Sequence, residues 1–370
     1  MRLHFDAGLC VRAKSKSSNC TKCVDVCPSS IQIVDNLPSF TPSTGIQAAA
    51  CVGVCPTEAF SLSDFSVTEF FFRFLASKVR LISSGINVPC ISVLSVEHLI
   101  ALALASDEAI CLDLAGYEKG SALLGHIRTT IEEANFILSS FCDKQLETNI
   151  VAIPMEAQTF MPKQEEASRR DFLRNASLKG AIKQKKAFDD AVNARMLQQF
   201  EIDGAVIAKI KNKQLPDKRK ILFTALKRTN APKVFEILPQ EEVSFVSQKH
   251  INENCTNCQI CYRVCPTGAL SSDSKFSLIH FDAMLCVKCH LCHDVCEPDA
   301  IGLQSGFEIK EFFEPSQRIL AAFNVKRCNE CGNYFTYTGA GKEQICPRCM
   351  VEEEEAFFLH HNAKKMRGEE

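Results

Sequence analysis

The sequence contains no tryptophan, only 4 tyrosines and no G-x-G-x-x-G motif. The missing glycine motif removes the usual fingerprint of a dinucleotide-binding fold. No acid–base or nucleophile constellation stands out, so the sequence predicts neither an enzyme acting on its own nor a small-molecule substrate. No run approaches the ~18 apolar residues of a membrane span, and the first residues lack the apolar stretch of a signal peptide. We therefore expect a cytoplasmic protein without membrane insertion.

The overall charge and length give a second set of limits. A formal net charge of −2 excludes a globally basic nucleic-acid binder. The 370 residues are 46% hydrophobic and include 26 phenylalanines, which is enough to bury real cores. Domain-size statistics then predict two to four structural units.

Cysteine is abundant, with 21 residues grouped at metal-ligand spacing, which points to a reducing compartment. Eight of them form two C-x2-C-x2-C-x3-C runs with 20 residues between them. In such runs three thiolates bind one [4Fe–4S] cluster and the fourth binds the neighbouring cluster. Zinc and disulfides are the alternatives, although zinc usually takes two C-x2-C pairs. The predicted ligands are set I (Cys255, Cys258, Cys261, Cys296) and set II (Cys265, Cys286, Cys289, Cys292).

The segment 241–312 resembles the bacterial two-cluster ferredoxin family at these eight cysteines and in the C-P-T-G-A-L tail that starts at Cys265. One departure is that Cys296 is followed by Glu297-Pro298 rather than directly by proline. The resemblance implies a ferredoxin-like fold that holds two [4Fe–4S] clusters and passes single electrons. Of the nearby histidines, we expect His290 and His293 to face solvent; the alternative is that they tune a cluster's potential by hydrogen bonding to sulfur.

Residues 1–63 look like a degenerate copy of this segment. The stretch 51–60 (CVGVCPTEAF) parallels 261–270 (CYRVCPTGAL), while Ser17, Gly45 and Ala48 stand where cysteines would be expected. If the fold is kept, one [4Fe–4S] cluster is predicted here, with Cys10 replacing the missing ligand. A [3Fe–4S] cluster and a cluster-free fold are the alternatives. The predicted ligands form the N-terminal set (Cys10, Cys20, Cys23, Cys55), and Cys27 and Cys51 are left as free thiols.

Residues 64–155 alternate apolar strand-like runs with amphipathic helices, which predicts a small parallel α/β unit. Strands are expected at 88–94, 109–114 and 150–153, and helices at 67–75, 96–105 and 126–140. The stretches 88–90 and 110–114 resemble the delta-subunit domain of methyl-viologen-reducing hydrogenases. This resemblance concerns the fold and not the function, because most of that family's cluster cysteines are absent. Cys90, Cys111 and Cys142 lack ligand spacing, so we interpret them as buried structural thiols.

Residues 156–240 form a basic helical segment with a helix expected at 165–199. Between 163 and 233 there are 18 Lys and Arg against 8 Asp and Glu, a local net charge of +10. Because the whole chain has a net charge of −2, the remaining residues together carry −12. A solvated helix face and a dock for an acidic redox partner are both compatible with this excess. Nucleic-acid binding is disfavoured because aromatic side chains are not interleaved with the charges.

Residues 313–370 contain two further cysteine pairs, C-x2-C-G and C-P-x-C, with 14 residues between them. These pairs resemble the zinc-ribbon family and, more loosely, rubredoxins. Zinc is preferred over iron because structural zinc sites built from four cysteines are common. The tail beyond is charged, and we expect residues 351–355 and 364–370 to be frayed and solvated. The predicted ligands form the C-terminal set (Cys328, Cys331, Cys346, Cys349).

Together these features predict an α+β multidomain protein. Its expected parts are two ferredoxin-like modules (1–63 and 241–312), a small α/β unit, a basic helical segment and a zinc-ribbon-like tail. Two [4Fe–4S] clusters, a third at the N-terminus and one Zn²⁺ would make it an electron carrier. The chain resembles iron–sulfur subunits and accessory ferredoxins of hydrogenases, formate dehydrogenases and other molybdenum enzymes, which implies a redox protein partner. A maturation factor and a redox-responsive nucleic-acid binder are the alternatives.

Overall fold

The computed structural model describes residues 2–40, 49–77, 79–150, 212–337 and 344–367. In these ranges the chain forms α-helices of 4 to 21 residues and small sheets of two or three strands, so the protein has a mixed α/β structure. None of the helices within them is long and apolar enough to cross a membrane.

The N-terminal region opens and closes with strands that pair with each other. Strand β1 runs antiparallel to β4, with Leu3 opposite Leu62, and β2 and β3 form a hairpin between them. The hairpin turns at Asp35 and Asn36, whose positive φ angles of 49° and 65° suit a two-residue turn. The elements are β1 (Leu3–Phe5), α1 (Val11–Lys14), α2 (Lys22–Val26), β2 (Ile31–Val34), β3 (Leu37–Phe40), α3 (Ala50–Val54) and β4 (Phe60–Leu62).

Next comes a three-stranded parallel sheet in the order β5-β6-β7, covered by helices. The parallel pairing expected from the sequence is confirmed. Ser66, Ser95 and Ser121 cap the three helices by accepting a backbone N–H in the first turn. The elements are α4 (Val67–Ala76), β5 (Leu81–Ser83), α5 (Val96–Ala105), β6 (Ile110–Asp113), α6 (Ala122–Ser139) and β7 (Leu146–Asn149).

One strand prediction in this unit was wrong, and another lies mostly outside the described residues. Residues 88–94 are not a strand, since they contain a 3₁₀ turn at Ile91–Val93, and the first strand lies upstream at Leu81–Ser83. The run is buried, and a short apolar run cannot be told from other buried backbone by its pattern. Pro89 also lacks the N–H that a strand would use. The third strand ends at Asn149, before the predicted 150–153, of which 151–153 lie outside the described ranges.

The central region repeats the order of the N-terminal one. Strand β9 pairs antiparallel with β12, and the hairpin β10–β11 lies between them in sequence, extended by β14. Strands β8 and β13 form a separate antiparallel pair. The elements are α7 (Asp217–Leu226), β8 (Ile237–Pro239), β9 (Lys249–Ile251), α8 (Ile260–Val264), β10 (Leu270–Ser272), β11 (Leu278–Asp282), α9 (Leu291–Asp294), β12 (Ile301–Leu303), β13 (Gly306–Glu308), α10 (Lys310–Phe313) and β14 (Gln317–Ala322).

The C-terminal region consists of an antiparallel pair, β15 (Val325–Arg327) with β16 (Tyr334–Thr336), and the long helix α11 (Pro347–Arg367). The expectation of a frayed backbone at 351–355 was wrong, because these residues lie inside α11. Their side chains are exposed, as predicted. Glutamate is a good helix former, so the four consecutive glutamates of this solvated stretch keep a helical backbone.

The basic segment lies mostly outside the described ranges, including the helix expected at 165–199. Its described end contains α7, where two of the counted charges are not on the surface. Lys218 is 3% exposed and Arg219 is 0% exposed. These two residues therefore contribute to the interior and not to a docking surface.

A continuous apolar core joins the parallel sheet to the central region. Phe74 on α4, Leu102 on α5, Leu222 on α7 and Phe307 on β13 are all fully buried members of it. The N-terminal region has a core of its own, built around Ile31 and most of that region's cysteines. Helix α7 thus packs into the larger core, where it lies against α5.

Truncating a strand isoleucine in this core should be costly. Ile82 on β5 is 0% exposed, so Ile82→Ala removes buried methyl groups and leaves a cavity. We expect a loss of about 2–5 kcal/mol in the free energy of unfolding, measured by urea denaturation followed by circular dichroism.

Ile237→Ala is the matched control, because Ile237 also lies in a strand but is 68% exposed. Its effect should stay within about 0.5 kcal/mol. Equal effects of the two substitutions would contradict the placement of β5 in the core.

Candidate metal centres

The four thiols of set II surround one cavity. Its lining includes every cysteine of the set together with Lys249 and Phe281. Burial raises the pKa of the Cys289 and Cys292 thiols, that of Cys292 to about 12. Four convergent thiols around a mainly apolar cavity are the donor set that a [4Fe–4S] cluster requires.

Unusual backbone angles place these thiols. Lys288 and His290, on either side of Cys289, have φ angles of 45° and 60°. Left-handed backbone is strained for residues with a side chain, and such strain collects at functional sites. It lets a short loop turn sharply before α9 begins at Leu291, so that Cys289 and Cys292 approach the same space.

Set I is built in the same way. Asn257 and Gln259, which flank Cys258, have φ angles of 54° and 72° before α8 begins. Burial raises the pKa of Cys255, and the nearby thiols of Cys296 and Cys258 raise it further. The N–H of Ala300 donates to Cys296 Sγ at 3.2 Å. The fourth cysteine of the second run therefore lies beside the first run, as the crossed ligand pattern requires.

The N-terminal region brings Cys10 to the other three thiols of its set. Burial raises the pKa of Cys10 to about 12, with additional contributions from nearby Cys55 and Cys20. Burial also raises the pKa of Cys23 to about 12, and there Cys55, Cys20 and Cys10 all contribute. Ser17, which stands where a ferredoxin has a cysteine, is exposed. The replacement of that ligand by Cys10 is therefore compatible with the geometry.

Local geometry also repeats between the two regions. The N–H of Ala59 donates to Cys55 Sγ at 3.2 Å, which matches the contact of Ala300 with Cys296. Helix α3 begins after the left-handed Ala49, just as α8 begins after the left-handed Gln259, and both helices span five residues. The likeness of sequence thus extends to backbone conformation, although the N-terminal region has fewer cysteines than the central one.

Cys27 and Cys51 form a separate pair. Both are buried, and their thiols are hydrogen-bonded to each other. The contact with Cys51 lowers the pKa of Cys27 to about 7, whereas the same contact and burial raise that of Cys51. They occupy the place of a second N-terminal cluster, for which two thiols are too few ligands.

The N-terminal set lies next to set II. Cys20 and Cys289 pack against the same small apolar cluster of Val11, Leu291 and Val295. The N–H of Asn19 donates to Asp294 Oδ2 at 2.9 Å across this contact. Set II in turn adjoins set I, since the Cys292 thiol raises the pKa of Cys261. The three thiol sets therefore follow one another in the order set I, set II, N-terminal set.

The C-terminal set is more compact. Its four sulfurs all lie within 4.8 Å of one another, and Cys331 Sγ is 3.7 Å from Cys346 Sγ. A tetrahedral zinc ion with Zn–S bonds of about 2.3 Å separates its sulfurs by roughly 3.8 Å. Burial alone would raise the pKa of Cys328, but hydrogen bonds from the backbone N–H groups of Cys331, Cys346 and Glu330 lower it to about 6. The site thus fits a single metal ion that takes thiolate ligands.

Of the three cysteines interpreted as buried structural thiols, Cys90 is buried, whereas Cys111 and Cys142 are partly exposed. Cys90 Sγ lies 3.0 Å from Ser92 Oγ and 3.4 Å from Tyr117 OH. The expectation of a solvent-facing His293 was wrong, because the ring is half-buried and its Nε2 lies 2.8 Å from Lys249 Nζ. Burial, with the neighbouring Lys249, lowers the pKa of His293 to about 3, so the neutral ring accepts from the ammonium group. His290 is also half-buried.

Three residues that the sequence did not single out lie beside the thiol sets. Glu97, Lys218 and Arg219, called the charge triad below, are buried between the N-terminal and central regions. Lys218 and Arg219 were counted only as part of the basic segment, and Glu97 carried no signal at all. A local charge count cannot tell a buried cation from an exposed one.

Comparison with known families supports the iron–sulfur interpretation. The 4Fe-4S binding domain family matches residues 249–271, which include β9, α8 and the four cysteines of the first run. No curated protein matches the chain. The match and the cysteine groups together support an iron–sulfur protein with at least one [4Fe–4S] cluster.

Removing one thiol of set II should empty that site. In anaerobically purified Cys289→Ala we expect about four fewer iron and four fewer sulfide per chain than in the parent protein, because three thiolates hold a cube less well. Colorimetric iron and sulfide analysis gives both numbers.

Cys90→Ala provides the control, since Cys90 is a buried thiol that contacts Ser92 and Tyr117 and belongs to none of the sets. Its iron content should equal that of the parent. An unchanged iron content in Cys289→Ala would remove Cys289 from the ligands.

Proposed function

We propose that this protein relays single electrons through three [4Fe–4S] clusters held by set I, set II and the N-terminal set. The observation that carries the proposal is the arrangement of the three sets in a row, each beside the next. A cluster with four thiolate ligands leaves no iron open to substrate and exchanges one electron at a time. The arrangement thus favours conduction along the chain over bond chemistry.

The relay would join a low-potential donor to an oxidoreductase, such as a hydrogenase, a formate dehydrogenase or another molybdenum enzyme. Cys258 of set I is exposed, so a partner can approach that end of the row closely. Short distances from a protein surface to a cluster favour electron exchange with a docked partner. An acidic partner would be steered by cations of the basic segment other than the buried Lys218 and Arg219.

The C-terminal set would bind Zn²⁺ and have a structural role. Closed four-cysteine zinc sites contribute directly to folding. Apart from the metal ligands, β15, β16 and the start of α11 share a very small apolar contact, formed by Phe335 and Ile345. A bound ion would therefore supply most of the energy that holds this region together.

The number of electrons that the protein accepts tests the relay. The anaerobic parent protein should contain about twelve iron and accept about three electrons per chain in a dithionite titration. Cys10→Ser should contain about eight iron and accept about two electrons, because the N-terminal cluster loses a ligand. Metal analysis and EPR of the reduced protein report both quantities.

Cys27→Ser is the matched control, as Cys27 lies in the same region but pairs with Cys51 outside the set. It should keep the iron and the electron count of the parent. A parent protein with about eight iron would remove the third cluster from the proposal. Absence of iron from fresh anaerobic protein would overturn the relay as a whole.

The C-terminal metal can be tested independently. Cys349→Ser should lose about one zinc per chain and leave the iron content and the EPR signals unchanged, because its set is separate from the other three. The β15–β16 region should then become susceptible to proteolysis. Iron instead of zinc in the parent at this site would indicate a rubredoxin-like centre and an additional electron.

A further inference from the structure

Helix α7 begins between two of the proposed cluster sites and is attached to both. On the N-terminal side, Glu58 accepts hydrogen bonds from the N–H of Asp217 at 2.6 Å and of Lys218 at 3.1 Å. Glu58 lies three residues after Cys55, at a left-handed φ of 54°. On the central side, the N–H of Gln214 donates at 2.9 Å to the carbonyl oxygen of Pro266, the residue after Cys265.

Lys218 points to the N-terminal set. Its ammonium group donates to the carbonyl oxygen of Cys55 at 2.6 Å and to that of Gly53 at 3.4 Å. It also lies 3.7 Å from Glu97 Oε2. With the side chain 4% exposed, this cation is held beside the backbone of a proposed ligand and away from water.

Arg219 points the opposite way, to set II. Its guanidinium donates to the carbonyl oxygens of Cys286 at 2.9 Å and of Met284, and through Nη2 to that of Phe245 at 2.8 Å. Its Nε forms an ion pair with Glu97 Oε1. Two consecutive residues of α7 therefore bind the backbone of two different thiol sets and share one carboxylate.

Packing alone does not require charged side chains at these buried positions. Desolvating an ion costs several kcal/mol, and an apolar residue of similar volume is often at least as stabilising as a buried ion pair. A cation near a cluster has an electrostatic effect that an apolar residue lacks. The reduced cluster carries one more negative charge than the oxidised cluster, so a nearby cation favours reduction, most strongly where water is excluded.

We propose that Lys218 and Arg219 are positioning residues that raise the reduction potentials of two neighbouring clusters, Lys218 that of the N-terminal set and Arg219 that of set II. Glu97 orients both cations and moderates their effect. Through them the charge triad sets the energy step for an electron that passes between the two sites. This inference rests on the proposed function, since it requires clusters in both sets.

The test is a redox titration monitored by EPR on the full chain. The N-terminal signal is identified as the one that Cys10→Ser removes, and the set II signal as the one that Cys289→Ala removes. We expect Lys218→Met to lower the potential of the N-terminal cluster more than that of set II. Arg219→Met should show the reverse order, and Glu97→Gln should raise both potentials.

Two variants separate electrostatics from general disruption. Arg219→Lys keeps the charge and should leave the set II potential closer to the parent value than Arg219→Met does. Arg318→Met is the control for losing a partly buried arginine, because Arg318 pairs with Glu308 and Glu311 instead. It should move neither potential.

Iron analysis distinguishes a failure of this inference from a failure of the relay. If both sets bind iron but the potentials stay unchanged, or shift equally in Lys218→Met and Arg219→Met, the inference is wrong. If the parent binds no iron in one of these two sets, the proposed cluster at that site is absent, and the proposed function is wrong there rather than this inference. If the methionine variants do not fold, Glu97→Gln is the test, because it retains both cations. Unaltered potentials of both clusters in that variant would overturn the inference.

Discussion

The structure depends on the convergence of thiols that are distant in sequence. Cys265 closes the set formed by residues 286–292, and Cys296 lies beside the run at 255–261. In the predicted ligand sets, each half of the central region therefore completes the site of the other, and neither half has a full donor set alone. The hairpin β10–β11 and the β9–β12 pairing follow from this constraint, because they return the chain to the same place twice.

The N-terminal region shares several backbone features with the central region although it has fewer cysteines. The terminal strand pair, the hairpin and the left-handed residue before α3 remain, although Gly45 and Ala48 stand where cysteines would be expected. Cys27 and Cys51 then contact each other in an apolar core. Packing by Ile31 and Phe60 accounts for this persistence, since an apolar core does not need the second cluster in order to hold the backbone.

The sequence predicted features that rest on local spacing and missed features that depend on tertiary position. The sequence correctly predicted the limits of α5, Val96–Ala105, because they are set by a few consecutive residues. The tight cysteine spacing is likewise a local feature. Residues 88–94 read as a strand because periodicity does not report what an apolar run packs against. The pairing of Glu97 with Arg219 joins residues 122 positions apart, and no local sequence pattern in either segment predicts it. The ligand assignments themselves remain predictions.

The charge triad also explains why charged residues of α7 lie in the interior. An electron carrier with adjacent clusters needs fixed distances, yet the N-terminal and central regions are separated in sequence by the parallel sheet and the basic segment. Apolar packing of Val11 against Leu291 and Val295 covers only a small part of that contact. Directional bonds from two cations to the carbonyl oxygens of Cys55 and Cys286 fix the two sites relative to one another in a way that apolar contacts alone do not. Fixed geometry and tuned charge are therefore supplied by the same side chains.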